Sequence, residues 1–134
     1  MTTQTLAQRP GLLRNALRAN GVFSGLSGLM LTFGAQPIAA FLGLSEPVIL
    51  IVIGLGLLLY AAMLFRAASD DAQLPRVGLM AIIGDALWVL GSVILLLTGW
   101  PPFTVAGAWA VGIVAAIVAD FAIVQFIGWR RIAS

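Results

Sequence analysis

The segment Val77–Thr98, VGLMAIIGDALWVLGSVILLLT, runs for 22 residues with one charge, Asp85. At a helical rise of about 1.5 Å per residue, about 20 apolar residues cross a hydrocarbon layer of about 30 Å. The segment therefore reads as a membrane-spanning helix. A carboxylate in that solvent is costly and is expected to face protein or a wet cavity, not lipid. The rest of the chain needs the same solvent. Of its 134 residues 61% are hydrophobic and only 9% charged, too few to solvate a globule, since soluble domains carry about 25% charged residues. The chain reads as a single transmembrane domain whose first partner is the lipid bilayer.

Three further apolar runs follow the same logic. No charge falls between Arg18 and Glu46, or from Pro47 to Phe65, and a last run extends from Phe103 to Gly128. The expected spans are 11–34, 47–65, 76–98 and 102–129. Pro10, Pro47, Pro75 and Pro102 stand at the front of the four runs. Proline suits a helix start because a first-turn N–H would lack a partner anyway. Met1–Arg9 reads as a loose polar lead. The first run reads as a retained span, because no small-x-small cleavage site follows it. Ile38–Leu44 is expected to lie along the outer interface. The expected fold is all-α, a four-helix transmembrane bundle.

Arginine sets the orientation. Arg9, Arg14 and Arg18 precede the first span, Arg66 and Arg76 lie between the second and third, and Arg130 and Arg131 follow the fourth. The connections at 35–46 and 99–102 carry none. Arginine-rich flanks stay cytoplasmic. The expected location is thus the plasma (inner) membrane, multi-pass, with both termini in the cytoplasm. The net charge of +2 has the same origin and points to no nucleic-acid partner.

A gapless shift of 65 residues superposes Ala7, Gln8 and Pro10 on Ala72, Gln73 and Pro75, and Ala16 on Ala81. It also superposes Ser27, Leu31, Gly34 and Pro37 on Ser92, Leu96, Gly99 and Pro102. Arg66, Ala68 and Ser69 fall on Arg131, Ala133 and Ser134. The chain thus reads as a possible tandem two-helix repeat. Its halves would be related by an axis along the membrane normal.

Candidate chemistry lies at mid-depth. Asp85 is nine residues after Arg76 and Asp120 ten before Arg130, so both are about 13–15 Å in from one side. Asn20, which the repeat places over Asp85, reaches a similar depth, and Tyr60, six residues before Arg66, lies slightly nearer the cytoplasm. These four residues form the expected proton or ligand site. Two buried carboxylates at one level disfavour each other's ionisation, so the pair is expected to hold a proton. Small residues permit close helix approach, and Gly21 with Gly25, and Gly112 with Ala116, are the candidate packing positions. Ala108, Gly112, Ala116 and Asp120 form one i+4 row. Such faces suit a homo-oligomer or a membrane-protein partner.

Absent residue types exclude other chemistry. The chain has no Cys and no His, so thiolate, haem, iron–sulfur and the commonest metal sites are not expected. All seven of its Lys+Arg residues are Arg, so no Schiff base can form. No cofactor or metal is expected.

The topology and the opening segment RANGVFSGLSGLMLTFGAQP, an Arg ahead of a Gly-rich first helix that closes near Gly-x-x-Pro, resemble the small bacterial four-helix membrane proteins of the DoxX-like group. That resemblance implies an accessory role beside redox complexes and transfers no functional residue. The first expectation for function is an interaction or accessory subunit of a membrane complex. The alternative is an oligomeric proton-linked carrier or channel using a buried Asp pair. A minor alternative is an intramembrane enzyme with an Asp as general acid/base on a lipid-soluble substrate.

Overall fold

The computed structural model describes residues 11–133. The polar lead, Arg9, Pro10 and Ser134 lie outside the described residues. Five helices follow in order: α1 Gly11–Phe33, α2 Ala35–Leu42, α3 Val48–Ala68, α4 Leu74–Thr98 and α5 Val105–Ala133. No strand occurs among the described residues.

Three helices, α3, α4 and α5, are each long and apolar enough to cross a membrane. At the first span, α1 runs as one helix to the expected end near 34, and α2 occupies the expected connection. There α1 and α2 are apolar and long enough only as a pair, and the chain turns by 94° between them. Pro37 explains the break. It lacks the N–H that would continue the ladder, and its ring excludes the carbonyl of Phe33 four residues earlier. The segment expected along the outer interface thus forms the cross-running helix α2. The proline starts hold in part. Pro47 caps α3 and Pro75 lies in the first turn of α4, whereas Pro102 stands ahead of α5, which begins at Val105.

The helices associate as two closely packed pairs, α1 on α3 and α4 on α5. The contact of α5 with α1 is intermediate, and α3 touches α4 only lightly. The α1–α3 pair is closest at Gly28 and Gly54. A Cβ on Gly54 would lie 2.8 Å from the Gly28 carbonyl oxygen and 2.8 Å from the Thr32 amide nitrogen. Lipid chains are as apolar as leucine, so close van der Waals packing of this kind holds membrane helices together.

All six described arginines sit at one end of the bundle. There the start of α1 meets the α3–α4 loop: Arg14 donates to the Ala68 carbonyl at 2.7 Å and forms an ion pair with Asp71. Trp129 Nε1 of α5 donates to the Pro75 carbonyl at 2.9 Å. Beneath that end lies the main apolar core, including Leu13, Leu17, Leu64, Leu74, Val77 and Ala81. At the other end Thr104 ties α5 to α2, its N–H donating to the Leu42 carbonyl at 3.0 Å and its hydroxyl to the Phe41 carbonyl at 2.6 Å. The outer surface is apolar along every long helix, with Leu26, Leu59, Leu87 and Ile123 all more than half exposed. A surface of that kind belongs in lipid.

Candidate functional site

One buried side-chain cluster joins all four long helices. Asp85, on the inner face of α4, is its centre and is 5% exposed. Asn20 Nδ2 of α1 donates to Asp85 Oδ2 at 2.8 Å, and Gln125 Nε2 of α5 donates to the same oxygen at 2.9 Å. Tyr60 Oη of α3 donates to Asp85 Oδ1 at 3.0 Å. The second hydrogen of Asn20 Nδ2 goes to Gln125 Oε1 at 2.8 Å, and Ser24 Oγ donates to Asn20 Oδ1 at 3.0 Å. The polarity of the network is consistent throughout. Turning either amide over would set oxygen against oxygen.

The chemistry of this arrangement follows from its donors. Three neutral groups donate to the Asp85 carboxyl, and no guanidinium reaches it among the described residues. Hydrogen bonds therefore spread the charge without neutralising it. A buried carboxylate with no basic partner is costly, so a proton or a small cation is the natural complement. Tyr60 provides a second setting for the proton. Its Oη is also 3.4 Å from the Ala81 carbonyl. When Asp85 carries a proton on Oδ1, the Tyr60 hydroxyl can accept that proton's hydrogen bond and turn its own hydrogen to Ala81. The site can thus exchange two hydrogen-bond patterns with no backbone movement.

Of the expected site residues, the structure brings together Asp85, Asn20 and Tyr60. Asp120 does not join them. It is exposed on the outer side of α5 and makes no hydrogen bond among the described residues. The reason is rotational. The inner face of α5 carries Ala115, Val118, Gln125 and Gly128, and Asp120 is five residues from Gln125, about 140° around the helix at 3.6 residues per turn. The buried Asp pair is therefore replaced by one aspartate with two amides, a phenol and a serine. Gln125 was not expected at the site. One signal pointed to it: Gln125 lies 65 positions after Tyr60, as Asp85 lies 65 after Asn20.

The candidate packing positions fall into two groups. Gly21 is buried against the Phe65 ring, and a Cβ on Gly25 would meet Ala61 Cβ at 3.5 Å, so both face α3. Gly112 and Ala116 are only loosely packed within the chain. Ala116 is exposed, and the nearest atom to a Cβ on Gly112 would be Leu96 Cδ1 at 3.9 Å.

These features define a small multi-pass α-helical membrane protein with a buried, aspartate-centred hydrogen-bond network. No family model, curated protein or solved structure matches the chain.

Proposed function

We propose that the protein is a proton-linked carrier or channel in which Asp85 is the proton-binding group. One observation carries the reading: a carboxylate buried midway along α4, held by donors from the other three long helices and left without a positive partner among the described residues. A carboxyl needed only to glue two helices would require one partner, not a shell drawn from three others. The test is proton flux in proteoliposomes. Flux above that of protein-free liposomes under an imposed pH gradient supports the reading, and flux equal to theirs contradicts it. Turnover of bilayer lipid in the same vesicles would instead favour an intramembrane enzyme.

The functional unit is an oligomer, and Asp120 is the observation behind that statement. It is exposed on α5 about 15 Å from the arginine end, where lipid is a poor neighbour for a carboxyl group. Beside it, Ala108, Trp109, Gly112 and Ala116 of the same helix, with Leu96 of α4 and Phe103 ahead of α5, line a shallow hollow of about 700 Å³. A second copy related by a twofold axis along the membrane normal sets equal residues at equal depth. Two Asp120 carboxyls would then meet and share a proton. Gly112→Leu should leave the chain folded, because nothing in the chain crowds that position, and should convert the oligomer to single chains in native mass measurements. A wild-type mass of one chain in mild detergent would contradict the oligomer. Copurification of a different membrane protein on this face would support the accessory-subunit reading that the DoxX-like resemblance implies.

Both termini lie in the cytoplasm in this reading, since the arginine end of the bundle is the cytoplasmic end. A reporter fused after Ser134 should be active inside the cell, and activity outside would reverse the orientation.

A further inference from the structure

The α5–α1 seam, of intermediate contact, and the lightly packed α3–α4 seam differ in one way that has chemical consequences. Positions 65 apart face each other across the centre: Asn20 meets Asp85, and a Cβ on Gly78 would lie 2.9 Å from Leu13 Cδ2. Under the same offset the α5–α1 seam corresponds to the α3–α4 seam, and Gly128 corresponds to Met63. Gly128 lets α5 rest on the backbone of α1, since a Cβ there would lie 2.8 Å from the Leu13 amide nitrogen. Met63 has a long side chain at that place and keeps α3 off α4. One seam is closed, and the other is left as a cleft of about 380 Å³ lined by Ala62, Met63, Arg66, Gln73 and Arg76.

We propose that this cleft binds a phosphate group through Arg66 and Arg76. Both guanidinium-bearing residues line it, and neither donates to a protein acceptor among the described residues. At the same end Arg14 is paired with Asp71 and Arg130 lies over the Phe126 ring at 5.7 Å, whereas Arg18 and Arg131, which do not line this cleft, also lack a protein acceptor among the described residues. Asp70, in the loop between α3 and α4, accepts from the Ala72 N–H and from Gln73 Nε2, each at 3.0 Å. It is thereby tied into the loop turn. Planar guanidinium forks suit phosphate oxygens. The cleft volume lies in the range of small-molecule sites, and Ala62 and Met63 give it an apolar wall. Basic pockets between helices at the cytoplasmic side of a membrane take anionic headgroups. The phosphate comes from a lipid or from the aqueous phase, and the test separates these sources.

The protein is purified in a neutral detergent and titrated with phosphatidylglycerol, phosphatidylcholine or inorganic phosphate, with binding read by native mass and thermal unfolding. Tighter binding of phosphatidylglycerol than of phosphatidylcholine supports the proposal with lipid as the source. Binding of inorganic phosphate that displaces the lipid supports it with a soluble ligand. In either case Arg66→Gln/Arg76→Gln should weaken binding about tenfold or more, the scale of one charge-assisted hydrogen bond. Arg130→Gln/Arg131→Gln should leave it unchanged. If the first double variant fails to fold, Arg66→Lys/Arg76→Lys must still bind more weakly than wild type, because charge remains and the fork does not, and binding equal to wild type overturns the proposal. The proposal is overturned if neither ligand binds, or if the two arginine pairs matter equally. Asp85 takes no part in this site, so Asp85→Asn should not change phosphate binding. Failure here leaves the proton reading standing, and the reverse holds too.

Discussion

Asp85→Asn is expected to reduce proton flux to that of empty liposomes while the protein stays folded. The geometry makes this variant close to isosteric. The amide oxygen can take the place of Oδ2 and keep the hydrogen bonds from Asn20 and Gln125, 2.8 and 2.9 Å long in the wild type. The amide nitrogen then occupies the Oδ1 place and donates to Tyr60 Oη, whose hydrogen turns to the Ala81 carbonyl. Every polar group keeps a partner, so the change in stability should stay within about 1 kcal/mol, the scale of one membrane hydrogen bond. Asp85→Leu has the opposite signature. It strands one N–H on Asn20 and one on Gln125, while Tyr60 can turn to the Ala81 carbonyl, and each orphaned buried donor costs about 1–3 kcal/mol. Thermal unfolding in detergent should therefore separate the variants, with leucine clearly destabilised and asparagine not. Equal destabilisation by both would mean that the carboxyl itself holds the bundle together.

Gly54→Leu is expected to be the most damaging single change in the fold. Besides the Thr32 hydroxyl, the obstacle at that position is backbone, the Gly28 carbonyl and the Thr32 amide at 2.8 Å, and backbone cannot rotate away as a side chain can. The α1–α3 pair would have to separate, and overpacking of this kind costs about 1–3 kcal/mol or more. Gly56→Leu on the same helix is the control, since a Cβ there meets nothing within 4 Å. A lowered unfolding temperature for Gly54→Leu alone supports the close crossing. Equal behaviour of the two variants contradicts it.

The long helices were legible because solvent dictates them. Uninterrupted apolar runs such as Val77–Thr98 admit no other economical structure in lipid. Asp85, Asn20 and Tyr60 were legible from depth, which counts residues from a charged end. Rotation about the helix axis was not legible. Lipid-facing and core-facing residues are equally apolar here, so α5 gives no sign of which side turns inward. The small-residue row ending at Asp120 was read as an inner face, whereas Gln125 marks that face. The 94° turn after α1 was written in Pro37. The openness of the α3–α4 seam depends on Met63 standing opposite another helix, which a linear sequence does not state.

Infrared titration of the carboxyl groups tests proton binding at Asp85 most directly, because it needs no knowledge of the transported species. Protein reconstituted in lipid is taken through a pH series, and the carbonyl stretch of protonated carboxyl is followed in wild type and in Asp85→Asn. Asp120→Asn serves as the second reference. The expected result is a band that grows and disappears with pH in the wild type, persists in Asp120→Asn and is missing from Asp85→Asn. A titrating band that is unchanged in Asp85→Asn, or no such band in the wild type, would contradict a proton site at Asp85.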